Sequence, residues 1–439
     1  MTSFGRSLLD LWHLDPAYAY LNHGTVGATP RHVLDRQRAW VERIEQHPAR
    51  LMLRELANIG EPSDWAGPEP PLMRQAATAV ADYIGAPAGT GSPADGIALV
   101  DNITTGVNAV LRSLDLGPDD AVAITTIGYG GVSRAATFVA ERAGATVDVI
   151  GLPGPGATPA EFAAAFDRQL RPETTVAVVD HLSAFSALVL PVTEFIASCR
   201  AKDVLVLVDA AHVPGQIPLN LTSLAAATDV TDSGRAGPGP DPYPYSYPDF
   251  HPDFHPDFYV ANLHKWCWTP RSGGFLWVAP EHRNWVHPTV ISWGLDNGMA
   301  AEFDLLGTRD PSAFLVIPEV LEYRSGFGED EIKRYIHQLC WSAANHLADE
   351  WDTWFDTPEE MIGAMAVVRL PERLGATSAD AENLRRHLDQ NHKVEVPIFV
   401  LDELAGLVVR ICTQVYNDHS DIERLVAAVA SAPDTEEQP

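Results

Sequence analysis

The chain has 439 residues, 46% hydrophobic and 20% charged, a composition that suits a folded globular protein with room for two or three domain-sized units. Its 59 acidic against 30 basic residues give a formal charge of −29, which opposes binding to nucleic acid or to anionic membrane surfaces. No apolar run approaches the ~20 residues that span a bilayer. The N-terminus lacks the basic-then-apolar pattern of a secretory signal. Cys199, Cys267, Cys340 and Cys412 stand far apart with no Cys-x-x-Cys pair, which argues against a disulfide framework or a zinc site and suits a reducing cytoplasm.

The opening segment ends in the glycine-punctuated loop Leu21 to Pro30, where Asn22 and His23 either face a cleft or simply accommodate a turn. Val33, Leu34, Trp40, Val41 and Ile44 recur at helical spacing and predict a helix from Arg31 to Glu45; a second is expected from Pro71 to Ile84. A Gly/Pro/Ser-rich loop, Gly85 to Gly96, leads to a strand, a polar turn and a helix. That turn, Asp101 to Gly106, places Asn102, Thr104 and Thr105 at a helix start, which serves either as an anion site or as a plain N-cap.

Strands and helices then alternate. Strands are predicted at Ala121 to Thr126, Thr146 to Leu152, Thr175 to Leu182 and Val204 to Asp209, and helices at Ser133 to Ala143, Pro159 to Leu170 and Val192 to Lys202. This is the α/β pattern of a mostly parallel sheet flanked by helices, in which ligands bind at the carboxyl ends of strands. Asn102 to Thr105, Tyr129, His181 to Ser183 and Asp209 to His212 all fall at such ends. Asp209 closes a run of five apolar residues, so its carboxylate either needs a cationic or hydrogen-bonding partner or caps the next turn.

Asp229 to Phe258 differs in kind. It is rich in Gly, Pro, Asp and Tyr and carries the repeat P-D-F-H, P-D-F-H, P-D-F-Y over residues 248–259. One proline in four excludes a helix or a central strand, so an inserted surface loop is expected. His251 and His255 are read as part of a solvated linker in preference to a metal site. The stretch Tyr259 to Gly274 (Y-V-A-N-L-H-K-W-C-W-T-P-R-S-G-G) follows, and Lys265 is the only lysine between Lys202 and Lys333. It is either a surface lysine beside a buried strand or a desolvated amine whose pKa is lowered enough to act as a nucleophile.

Beyond lie Val290 to Gly294, a turn and helix, and a long helix from Ile332 to Phe355. Strands near Ala364 to Leu370, Lys393 to Phe399 and Leu407 to Cys412, with a last helix from Ser420 to Ala430, predict a smaller α+β domain. Arg410 stands inside an apolar strand without an acidic neighbour in sequence, which leaves a ligand carboxylate as one partner. Residues 1–30 are expected to join this small domain, 31–298 to form the large one (with the insertion 229–258), 299–432 the small one and 433–439 an acidic tail.

A lysine nucleophile, a strand-end aspartate, an anion site at a helix start, an aromatic at another strand end and a late buried arginine together match the needs of pyridoxal phosphate. L-N-H-G, D-N-I-T-T-G, V-D-A-A-H-V-P-G, N-L-H-K-W, S-W-G, G-T-R-D-P-S-A-F and R-I-C-T-Q-V-Y-N resemble, over nearly the whole chain, the class V aminotransferase-like, fold type I pyridoxal phosphate enzymes, and within them the isopenicillin N epimerase group. The resemblance implies Lys265 as the Schiff-base lysine, Asp209 as partner of the pyridinium nitrogen and His212 as partner of the phenolic oxygen. It implies Asn102, Thr104, Thr105, Asn262 and His264 around the phosphate and Tyr129 stacked on the ring. Arg410 would bind the substrate carboxylate, with Asn22 and His23 lining the pocket. In a homodimer with its site at the subunit interface, Ser292, Trp293 and Gly294 would reach the neighbour's phosphate.

The leading expectation is α-proton removal from an amino acid with epimerisation or racemisation as outcome. A β-eliminating C–S lyase and an aminotransferase are the alternatives, and a non-catalytic binding module is the remote one. No catalytic-cysteine loop of the cysteine desulfurase kind is evident, and no metal is expected.

Overall fold

In the computed structural model, which describes residues 4–57, 67–87, 91–222, 255–401 and 406–434, a short strand β1 (Ala19–Tyr20) precedes seven strands of one sheet. These are β2 (Ile97–Val100), β3 (Ala121–Thr125), β4 (Thr146–Ile150), β5 (Thr174–Asp180), β6 (Leu205–Asp209), β7 (Phe258–Asn262) and β8 (Gly274–Val278). They lie in the order β2-β8-β7-β6-β5-β3-β4, and only β8 runs antiparallel to its neighbours.

The alternation of side chains along each strand explains why both faces are covered. Val122, Ile124, Val176, Val178, Leu207 and Val260 pack on one side with the helices Ile103–Ser113 and Gly130–Ala143. Ala123, Ala177, Val179, Val206 and Val208 face the other way, towards Phe162, Phe166 and Phe195 of the helices Pro159–Gln169 and Val192–Ala201. Thr158 opens the first of these as a capping box with Glu161, with Pro159 in the first turn, where its missing N–H costs nothing. Because the strands are parallel, Val100, Thr125, Asp180, Asp209 and Asn262 end at one edge of the sheet.

The remaining strands are β9 (Met365–Arg369), β10 (Val394–Glu395), β11 (Ile398–Leu401) and β12 (Gly406–Cys412). Three form an antiparallel sheet, β11-β12-β9, while β10 pairs with the N-terminal β1. The run expected as one strand from Lys393 to Phe399 is thus two strands in two sheets, parted at Val396 and Pro397, where proline has no N–H to give the ladder. Helices Glu329–Glu350, Ser378–His387 and His419–Ala430 cover this unit. Arg6 pairs with Asp421, and the Cys412 N–H donates to the Leu21 carbonyl at 2.9 Å, so the N-terminal segment is bound to it.

Two boundaries differ from the sequence reading. Residues 229–254 of the insertion, His251 included, lie outside the described residues, but its last members do not form a surface loop. Phe258 begins the central strand β7, and Asp257 is fully buried, accepting from the Val206 N–H at 2.7 Å and pairing with Arg200 and His282. The buried ion pairs and the ladder to β6 and β8 override the proline spacing of the repeat. His255 is half-buried, its Nδ1 3.0 Å from the Pro256 carbonyl. Residues 299–325, assigned to the small domain, pack on the large sheet and its helices: Met299 and Phe303 share a core with β2 and β8, and Phe314, Leu315 and Val320 share one with the helix Leu72–Tyr83. Among the described residues no helix is long and apolar enough to cross a membrane.

Candidate active site

The strand ends open on a cavity of about 880 Å³. Asn262, the last residue of β7, accepts the Ile103 N–H on its Oδ1 at 2.9 Å and so ties the sheet to the start of the helix Ile103–Ser113. Asn102 caps the same helix, its Oδ1 accepting the Thr105 N–H at 3.1 Å. Gly106 lets this helix lie close on β7, since a Cβ there would sit 2.5 Å from Val260 Cγ1. Asn102, Thr104, Thr105 and Asn262 all line the cavity, and the helix N-terminus gives it a positive pole.

Lys265 is held from behind. His23 is fully buried and its Nε2 donates to the Lys265 carbonyl at 2.7 Å, while its Nδ1 accepts from the Tyr416 hydroxyl at 2.8 Å. Gly27, at φ +71, passes so close that a Cβ would lie 2.0 Å from the His264 carbonyl oxygen. Trp268 adopts φ +68, an unusual value for a bulky residue. It is fixed edge-on by Trp12 and Phe327 and by the Arg324 guanidinium 4.7 Å above its ring. Arg324, itself fully buried, donates to the carbonyls of Trp266 at 2.9 Å and Gly215 at 2.8 Å.

The Lys265 amine faces the cavity, 2.9 Å from His212 Nε2. Trp266 Nε1 can only donate, so at 3.4 Å it makes His212 Nδ1 the acceptor and leaves the ring proton on Nε2, aimed at the lone pair of a neutral amine. Burial, then the nearby Arg410 charge, lowers the Lys265 pKa to about 8 against the pull of Asp209. Burial likewise takes His212 well below its ordinary value and His264 to about 4, so both are neutral. His264 Nδ1 donates to the Gly273 carbonyl at 3.1 Å.

Asp209 ends β6 at 2% exposure; its Oδ1 accepts the Ala211 N–H at 3.0 Å, whereas its buried Oδ2 has no hydrogen-bond partner among the described residues. Burial raises its pKa to about 6, offset by that N–H and by Lys265. Arg410 on β12 enters from the small unit, 8% exposed. It donates to the Ala184 carbonyl and, at 2.9 Å, to Thr25 Oγ1; its buried Nε is unpartnered, and no carboxylate among the described residues pairs with it. Tyr129, 40% exposed in the turn after β3, lines the mouth.

Two sequence assignments change, those of Asn22 and His23. The side chains of Asn22 and His23 do not line the cavity: Asn22 donates to Glu395 Oε1 at 2.9 Å, and His23 grips the back of Lys265. Their neighbours Gly24 and Thr25 line it instead. Ser292, Trp293 and Gly294 do not line the cavity of their own chain; Trp293 is 82% exposed, and Gly294 packs against the Ala301 carbonyl. A residue the sequence reading passed over, Asp180, lines the floor, while its neighbour His181 turns away to the Tyr259 hydroxyl at 3.0 Å. The signal was available, because Asp180 ends a strand parallel to β6.

An unpartnered buried carboxylate oxygen, a neutral-capable amine, an anion-binding helix start and an arginine with a spare donor fit a ligand with a basic ring nitrogen, an aldehyde and a phosphate. The family model for aminotransferase class-V matches residues 70–228. Putative L-cysteine desulfhydrase 2 of Oryza sativa subsp. japonica is 31% identical over 95% of this chain and 85% of its own length. Isopenicillin N epimerase of Streptomyces clavuligerus is 28% identical over 95% of each chain. Among solved structures, a C-DES mutant with glycine covalently linked to its PLP cofactor has a TM-score of 0.69 at 19% identity, covering 94% of this chain and 96% of that one. The chain belongs to the class V aminotransferase family and is a pyridoxal phosphate-dependent enzyme.

Proposed function

We propose that this enzyme binds an amino acid through Arg410 and removes its α-proton with Lys265, and that the outcome is β-elimination of a sulfur-bearing group, the reaction of a C–S lyase. When bound, pyridoxal phosphate supplies the electron sink that makes the α-proton acidic. The chain's part is to hold that group: Lys265 covalently, Asp209 at the ring nitrogen, the start of the helix Ile103–Ser113 with Asn102, Thr104 and Thr105 at the phosphate, His212 beside the amine and Tyr129 over the mouth. Arg410 takes the substrate carboxylate, and burial together with the Arg410 charge lowers the pKa of the neighbouring amine, which enlarges the fraction able to accept a proton.

The observation that carries this reading is that, among the described residues, Lys265 is the only amine lining the cavity, with neutral His212 as its one hydrogen-bond partner. One base suffices for elimination, because the same amine can return its proton to the leaving group. No cysteine lines the cavity among the described residues, so sulfur would leave as the free thiol or sulfide and would not pass to the protein. The relatives named L-cysteine desulfhydrase, at 28–32% identity over 95% of this chain, support the substrate class.

Epimerisation is the second reading, favoured by the likeness to isopenicillin N epimerase across 95% of both chains and by the Tyr129 hydroxyl as a further proton-bearing group at the mouth. Incubation with L-cysteine and with other amino acids in deuterated water separates the two. Release of keto acid and sulfide supports the lyase. Deuterium at the α-carbon without keto acid supports the epimerase and rules out elimination as the main reaction.

We also propose a homodimer. Val290, Ile291, Trp293 and Leu295 expose 53, 54, 82 and 41% of their surface in one segment that begins beside cavity-lining Thr289, a patch suited to burial against a second copy. Four buried cysteines, none in a disulfide, fit a reducing compartment.

A further inference from the structure

Asp180 is the one carboxylate of the cavity to which the chemistry above gives no task. It ends β5 directly opposite Asp209 at the end of β6, in register across the parallel ladder, and the two are 4% and 2% exposed. Side chains of registered residues on neighbouring strands point the same way with backbones about 4.8 Å apart, so these two carboxyls share one pocket of low dielectric. Two anions confined so closely repel, and one of them keeps a proton.

The surroundings decide which. Asp209 has the Ala211 N–H on Oδ1 and the Lys265 charge nearby. Among the described residues Asp180 receives only the backbone N–H of Tyr129, and burial together with the Asp209 charge raises its pKa well above the ordinary carboxylate value. Gly128 backs onto it, a Cβ there standing 3.4 Å from Asp180 Oδ2. The other charged or titratable groups around the cavity are His212, His264, Lys265 and Arg410, with Tyr129 and Arg112 towards the mouth; His181 is bonded to Tyr259 on the far side.

We propose that Asp180 and Asp209 hold one proton between them, with Asp180 as the neutral acid, so that Asp180 is a positioning residue that leaves Asp209 as the single anion facing the cofactor's ring nitrogen. The pair then carries one negative charge, which matches one ring cation.

The test is the dissociation constant of pyridoxal phosphate from the apoenzyme, followed by fluorescence quenching against pH, in wild type and Asp180→Asn. Asparagine copies the shape of the neutral acid and cannot ionise. Affinity within about threefold of wild type at neutral pH is expected, with the acid limb from Asp209 in the same place and any alkaline change from Asp180 ionisation present only in wild type. A loss beyond about tenfold at neutral pH would show that Asp180 acts as an anion and overturns the proposal. Infrared spectroscopy of the wild-type apoenzyme gives a readout that needs no variant to fold. A buried protonated-carboxyl stretch must be present at neutral pH and diminish in alkali, and its absence there refutes the assignment.

Discussion

Lys265 is one of only four lysines in the chain, and the other three have structural company of their own. Lys202 bonds Asp167, Lys333 pairs with Glu329, and Lys393 lies 5.7 Å over the Tyr18 ring. Lys265 instead faces a neutral histidine with a pKa lowered to about 8, so its nucleophilic fraction grows with pH. The rate at which apoenzyme takes up pyridoxal phosphate, read by stopped-flow absorbance, should rise about tenfold per pH unit below pH 8 and level off above it. An invariant rate between pH 6 and 9 would show that the amine is not the titrating group. Arg410 offers the complementary case: Arg410→Ala should weaken amino-acid binding about 10- to 100-fold, the worth of a charge-assisted bidentate contact, while the cofactor's visible spectrum without substrate keeps its shape. Asp209 and Arg410 were legible as single letters because a charge inside an apolar strand needs a partner. His23 was not, because nothing in the sequence says which way a turn points its ring.

At the scale of elements, Asn102 joins two roles that substitution can separate. Asn102→Asp keeps an N-cap oxygen and should leave thermal stability nearly unchanged, yet it sets a negative charge where the cofactor's phosphate would lie and should weaken cofactor affinity more than about tenfold. Asn102→Ala should instead cost about 1 kcal/mol of stability, measured by denaturant unfolding. The loop from Gly24 to Gly27 acts through His23, whose pKa burial lowers from 6.5 to about 4. The unfolded chain protonates this ring near pH 6.5 and the folded chain only near 4, so its contribution is whole above 6.5 and is lost as pH falls between those values. Between pH 7 and pH 5 the loss is about 2 kcal/mol, and His23→Gln should show a correspondingly flatter stability profile; an unchanged profile would mean the ring does not stay neutral in the fold. The alternating βα units were readable to within a few residues, since periodicity and caps are local. The antiparallel β8 within a parallel sheet, the break at Pro397 and the entry of Phe258 into a central strand are tertiary choices, decided by which strand edge was left to pair.

For the whole molecule, the sequence showed the family, the layered α/β plan and the chemistry of the strand ends. It could not show that Asp180 and Asp209 stand in register, because register is set by the assembled sheet, nor which of 299–325 belongs to which core. The exposed segment at Trp293 carries the proposal of a dimer: Trp293→Asp should shift the mass found by light scattering from two chains to one and reduce cofactor retention, whereas a wild-type monomer with full cofactor occupancy would contradict it. The central assignment is Lys265 as the residue that holds the cofactor. Borohydride reduction of the purified enzyme followed by peptide mass spectrometry tests this directly. A pyridoxyl group is expected on Lys265 alone; a label on Lys202, Lys333 or Lys393, or no label on a cofactor-loaded protein, would contradict that assignment.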